Sequence, residues 1–141
     1  MSAIRFAGYA AIFNRIDRGG DIIRPGAFGT LAEGLSLPLL WQHRPENRIG
    51  SISYAREDQR GLRVIGTLST ASRAGREAAM LLAGNTVKGL SFGYRVKQAT
   101  GHGPRIIGDL DVAEISLVTA PMQPLAQVHS WESKASGPVA V

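Results

Sequence analysis

Apolar and polar positions alternate along most of this chain, and the period changes only once or twice. Residues 3–13, 48–55, 61–69 and 88–99 each put apolar side chains at every second position, which is the signature of strands with one face buried. The run 37–42 (LPLLWQ) is apolar throughout and of strand length, and 106–121 reads as a strand pair or one bent strand closed by Pro121. Turn chemistry separates these segments: NRIDRGG at 14–20, a Pro-Gly step at 25–26, HRPENR at 43–48, REDQRG at 56–61 and TGHGPR at 100–105. Over 72–84 the period becomes helical, with Ala74, Ala78, Leu81 and Leu82 on one side, Ser72 as the N-cap and Gly84-Asn85 as the stop. A second helix of about two turns is expected over 27–35. From residue 127 to 141 little periodicity remains, and a poorly ordered, flexible tail is expected beyond a domain spanning 1–126.

Successive strands with one or two short helices and a single apolar core predict a β-rich α+β fold. The expected form is a small closed or partly open β-barrel, or strongly curved sheet, with the helices packed outside. The 141 residues suit one domain with a real core, and 17 glycines fit many tight turns. The absence of cysteine excludes disulfides and thiolate metal sites. No apolar run approaches the roughly 20 residues that cross a bilayer, and the N-terminal apolar stretch carries an arginine and no basic lead-in, so neither a membrane span nor a signal peptide is expected. The net charge is +5, but the arginines are scattered and rarely interleaved with aromatics, which argues against a dedicated nucleic-acid site.

The candidate chemistry begins at Ser91, in KGLSFGYRV. Leu90, Phe92, Tyr94 and Val96 share one face of this strand, leaving Ser91 on the other with Gly93. Gly89 and Gly93 flank the serine at two positions, either to relieve crowding between backbones or to expose the hydroxyl and leave room for substrate. The run matches G-x-S-x-G literally. That motif belongs to a strand-to-helix elbow with its acid and histidine downstream, whereas this chain continues as strand, so an α/β-hydrolase is excluded.

A serine hydroxyl needs a base, and the chain has three histidines. His43 follows an apolar strand, a rigid platform for a base, although a half-exposed turn residue would look the same. His102 stands at a glycine-flanked loop tip and His129 in the tail. No HxH or HxxxH spacing points to a metal site, and no cofactor is expected. Among the acids Asp109, Asp111 and Glu114, the first two share a strand face and Glu114 lies on the other unless a bulge intervenes. Glu114 sits among apolar residues and requires a partner, either arginine or histidine.

The segments GYAAIFN, GDIIRPGAF, LPLLWQH, VKGLSFGYRV and LDVAEISLVTAPMQPLA occur in that order. Their order and spacing resemble the prohead (capsid maturation) proteases of tailed bacteriophages, from about residue 6 to residue 126. The resemblance implies a fold related to the herpesvirus assemblins and a serine endopeptidase. It implies Ser91 as nucleophile, His43 as base and Glu114 as third member of the triad. His102 and Asp111 stay open as alternatives, because the viral relatives use a second histidine. The implied partners are the major capsid protein or a scaffold segment as substrate, the chain itself through self-cleavage, and a second copy in a homodimer. The implied place of action is the assembling prohead, of a phage or a domesticated phage-like particle, in the host cytoplasm. The competing reading is an inactive barrel serving as a capsid-assembly scaffold or peptide-binding component.

Overall fold

A computed structural model describes residues 3–29, 31 and 36–134. Eight strands and one helix are seen among them: β1 (Ala3–Ile12), β2 (Asp21–Ile23), β3 (Leu37–Trp41), β4 (Arg44–Glu57), β5 (Gly61–Ser69), α1 (Arg73–Ala83), β6 (Gly89–Thr100), β7 (Arg105–Val118) and β8 (Val128–Lys134). All strands belong to one sheet, ordered β2-β7-β3-β4-β5-β1-β8, with β6 pairing β7 off this path.

β7 is the spine of the sheet. Its first residues run parallel to β2, with Asp21 opposite Arg105. Its last third runs parallel to β3, with Leu39 opposite Ile115. Along its length it pairs antiparallel with β6. The core forms where these strands turn their apolar faces inward: Ile4, Leu39, Ile52, Leu62, Leu68, Leu90, Ile107 and Ile115 are fully buried. Alternation supplies this core, because every second side chain falls on the same face.

The sheet does not close. Its ends approach through one isolated bridge, Gly89 to Gln127, flanked by Leu90 N–H to Ala126 O (2.9 Å) and Val128 N–H to Lys88 O (2.8 Å). The fold is thus β-rich with one described helix, and no continuous ladder joins β6 to β8. The helix matches its sequence signals. Ser72 caps it, its Oγ accepting from Gly75 N–H at 3.0 Å, and Gly75, Ala78, Ala79 and Leu82 are buried. The left-handed residue that ends it is Asn85 (φ 58°), while Gly84 stays at φ −84°.

Three expectations change. Residues 128–134, expected as flexible tail, form β8 and pair antiparallel with β1 from Ala3 to Gly8. Past Val128 the side chains at 129–133 are exposed on both faces of the strand, so no apolar face exists and period gave no signal. The helix expected over 27–35 lies largely outside the described residues. Its beginning is a turn, with Ala27 N–H on Arg24 O and Gly29 N–H on Gly26 O. The turn expected over 43–48 is only two residues long, Gln42 and His43, and the chain then continues directly as β4. Pro45 is accommodated because register slips there: Trp41 faces Arg44 while Leu40 faces Arg48. Residues 45–47 need no one-to-one partner, so the missing proline N–H breaks no ladder bond.

Candidate active site

Three elements bring the predicted site residues together. The β3–β4 turn carries His43, β6 carries Ser91 and β7 carries Glu114. The loop after β1 lines the cleft on which His43 and Ser91 stand, through Arg15 and Asp17. In that turn Gln42 and His43 both have positive φ, 57° and 61°. A two-residue hairpin with both residues left-handed matches the twist of the flanking strands, but it normally selects Asn or Gly. Gln42 and His43 hold it at a cost of about 1–3 kcal/mol each. Hydrogen bonds to β7 and the segment after it offset this: Gln42 N–H to Leu117 O (3.0 Å), His43 N–H to Ser116 Oγ (3.2 Å) and Thr119 N–H to Gln42 Oε1 (3.1 Å).

The imidazole of His43 is thereby laid against β7, where its Nδ1 lies 2.5 Å from Glu114 Oε1. The His43 side chain is 43% exposed and that of Glu114 only 14%. The Glu114 hydrogen bond raises the His43 pKa above its ordinary 6.5, outweighing burial, which acts in the opposite direction. Glu114 reaches this face through a bulge. Gly93 pairs with Glu114 and Tyr94 with Val112, so Ala113 has no opposite residue. One extra residue in β7 re-aims the carboxylate.

Gly93 has a specific use here. A Cβ on it would stand 2.5 Å from Glu114 Oε1 and 3.0 Å from Glu114 Cδ. The missing side chain makes room for the carboxylate, a use distinct from both expectations for it, relief of crowding between backbones and room for substrate. Gly89 is a close approach instead: a Cβ there would meet Val118 O and Pro121 Cδ, each at 2.8 Å.

Ser91 is 6% exposed and stands directly opposite Ser116 in the β6–β7 register. With His43 it lines a cleft of about 100 Å3, whose walls include Ala11, Ile12, Ile23, Phe92 and Met122. No hydrogen bond joins Ser91 to His43 among the described residues. Such contacts are often long before substrate arrives. The cleft is a fraction of the roughly 300–1,000 Å3 that holds a drug-sized molecule, so its scale is that of one side chain.

The other candidates are elsewhere. Asp111 is 62% exposed and faces Lys97 Nζ at 3.5 Å, His102 stays at its exposed loop tip, and the His129 ring packs 5.8 Å from that of Tyr9. Among the described residues no three His, Asp or Glu side chains form a group able to hold a metal ion, and no helix is long and apolar enough to cross a membrane. Two residues near the site escaped sequence reasoning. Ser116 is fully buried, and its Oγ donates to Glu114 Oε2 at 2.6 Å. Its signal was available, since a serine inside the apolar run ISLV demands a polar partner. Gln42 gave none, because its role depends on a backbone conformation.

Comparison with known proteins follows the same lines. A family model described as Caudovirus prohead serine protease matches residues 1–137. The prohead protease of Enterobacteria phage HK97 is 32% identical over 138 residues, covering 91% of this chain. The chain spans 60% of the length of that relative. Among solved structures, the KSHV protease in complex with a hexapeptide phosphonate inhibitor aligns with a TM-score of 0.62 at 14% identity, covering 94% of this chain and 66% of that one. A second KSHV protease structure gives 0.55 at 14% identity, covering 95% and 63%. At such identity these likenesses establish the fold, which is that of the herpesvirus proteases. On the family match over nearly its whole length, the chain belongs to the Caudovirus prohead serine proteases.

Proposed function

We propose that this chain is a serine endopeptidase that processes capsid or scaffold protein during head assembly of a phage or phage-like particle. Ser91 is its nucleophile, His43 its base and Glu114 the acid that orients His43. The observation that carries the reading is the His43 Nδ1 to Glu114 Oε1 contact on the cleft that Ser91 also lines. With Nδ1–H donating to Glu114, Nε2 of the neutral ring is left unprotonated, on a residue that lines the cleft.

In this mechanism Ser91 Oγ attacks the scissile carbonyl carbon as its proton passes to His43 Nε2. The tetrahedral intermediate collapses, the C–N bond breaks, and Nε2 returns the proton to the leaving amine. A water then gives its proton to Nε2 and attacks the acyl ester, releasing Ser91. Glu114 stays ionised throughout and stabilises the imidazolium. The bridge between Gly89 and Gln127 supports reading the sheet as a partly open barrel around this site. The place of action in this reading is the assembling prohead in the host cytoplasm, with self-cleavage and a homodimeric form as its accompaniments.

Co-expression with the major capsid protein tests the reading by intact mass. A truncated capsid protein that reverts to full length with Ser91→Ala supports it. Full-length capsid protein with both folded chains sinks it, and an inactive scaffold or peptide-binding barrel then becomes the better account.

A further inference from the structure

We infer that Ser116 is a positioning residue: its hydroxyl sets the tautomer of His43 and the aim of the Glu114 carboxylate. The catalytic meaning of this rests on the serine-protease reading above. A backbone N–H can only donate, so Ser116 Oγ must accept from His43 N–H, at 3.2 Å. A hydroxyl has one proton, and that of Ser116 goes to Glu114 Oε2, at 2.6 Å. Oε2 is therefore an acceptor. As a carboxylate, Glu114 can only accept at Oε1 too, so the proton between it and His43 lies on Nδ1, 2.5 Å away. Nε2 is then the free lone pair. Four groups close a ring: His43 N–H, Ser116 Oγ–H, the two oxygens of Glu114, and His43 Nδ1–H.

The ring joins the main chain of the base to the side chain of the acid. That matters because His43 sits in the left-handed region at φ 61°, which residues with a Cβ disfavour. Ser116 also pairs with Leu40 of β3 and stands opposite Ser91 of β6. One buried residue thus touches or faces all three functional positions. A serine that merely satisfied its own hydroxyl would require none of these directions.

The test uses Ser91→Ala protein with ring-15N histidine, His43 being assigned by comparison with His43→Ala. The neutral His43 ring is expected as a single Nδ1–H tautomer. Ser116→Ala and Ser116→Cys in that background are expected to give a mixture. Cysteine keeps nearly the same volume with a weak donor, so a purely packing role is rescued by it and a positioning role is not, and it serves where the alanine variant fails to fold. With Ser91 intact, both Ser116 variants are expected to lose about 10- to 100-fold in kcat, with KM within about twofold. An Nε2–H tautomer in the parent overturns the inference, as does an unmixed Nδ1–H tautomer in the folded Ser116 variants. The tautomer is read without proteolysis, so it stands or falls separately from capsid processing.

Discussion

At the scale of single residues, His43 and Gly93 make the sharpest predictions. In the proposed mechanism the base works when neutral, so activity is expected to rise as pH passes upward through the His43 pKa. The Glu114 hydrogen bond holds that pKa above 6.5, so the acid limb of kcat/KM against pH is expected to have its midpoint above that value. Glu114→Gln removes the cause of the shift and is expected to move the midpoint down, with a rate loss of about 10^2- to 10^4-fold. Peptide-cleavage rates from pH 5 to 9 check both. A midpoint unchanged by the substitution would count against the His43–Glu114 coupling. Gly93→Ala places a methyl 2.5 Å from Glu114 Oε1. The carboxylate is the end of a flexible side chain and swings away, so the fold is kept and the aim is lost. A fall in kcat of about 10-fold or more, with a Tm within a few degrees of the parent, is expected. Unchanged kcat in the alanine variant would mean that Glu114 is not held where catalysis needs it.

At the scale of elements, the site depends on irregularities. A bulge at Ala113 turns Glu114 toward His43, and a register slip in β3–β4 shortens the turn that carries His43. β8 protects the sheet at its opposite end. It covers the edge of β1, with Phe6 opposite Trp131 and buried Val128 opposite Gly8. A chain stopped after Gln127 exposes that edge and loses the burial of Val128. A loss of about 2–4 kcal/mol in denaturant unfolding, with increased self-association, is expected. Parent-like stability and a monomeric sedimentation profile would show that β8 is dispensable.

At the scale of the whole molecule, a second polar network fixes β2 to β7 and includes Tyr94, which lines the cleft. The buried carboxylate of Asp21 accepts from Arg105 Nε and Nη2 and from Tyr94 Oη, each at 2.9 Å. The Arg105 hydrogen bonds, helped by Tyr94 and against burial, hold the Asp21 pKa below its ordinary 3.8. Its contribution to stability is therefore fully present above pH 3.8 and lost as pH falls through the depressed value. The sign is opposite for His43, whose raised pKa gives stability present below 6.5 and lost as pH rises through the folded value. Solvent screens that term, because His43 is 43% exposed. Asp21→Asn is expected to cost about 2 kcal/mol at pH 7 and to flatten the acid side of the Tm-against-pH curve. An equal acid slope in parent and variant would assign acid sensitivity to other carboxylates.

The strands, the capped helix and the candidacy of Ser91 and His43 were legible in the sequence, because alternation, capping and turn chemistry are local. Glu114 was legible as an acid needing a partner, since a carboxylate among Val112, Ile115 and Val118 is costly alone. Its meeting with His43 needed the tertiary structure, because 71 residues separate the two and a bulge decides which way the carboxylate points. The same holds for β8, whose partner is the first strand of the chain, and for Ser116 and Gly93, whose roles exist only once β6, β7 and the His43 turn lie side by side. Local pattern determines which residues must be buried or must turn. Only the packed sheet determines which polar groups then find one another, since hydrogen-bond direction and register are set between segments and not within them.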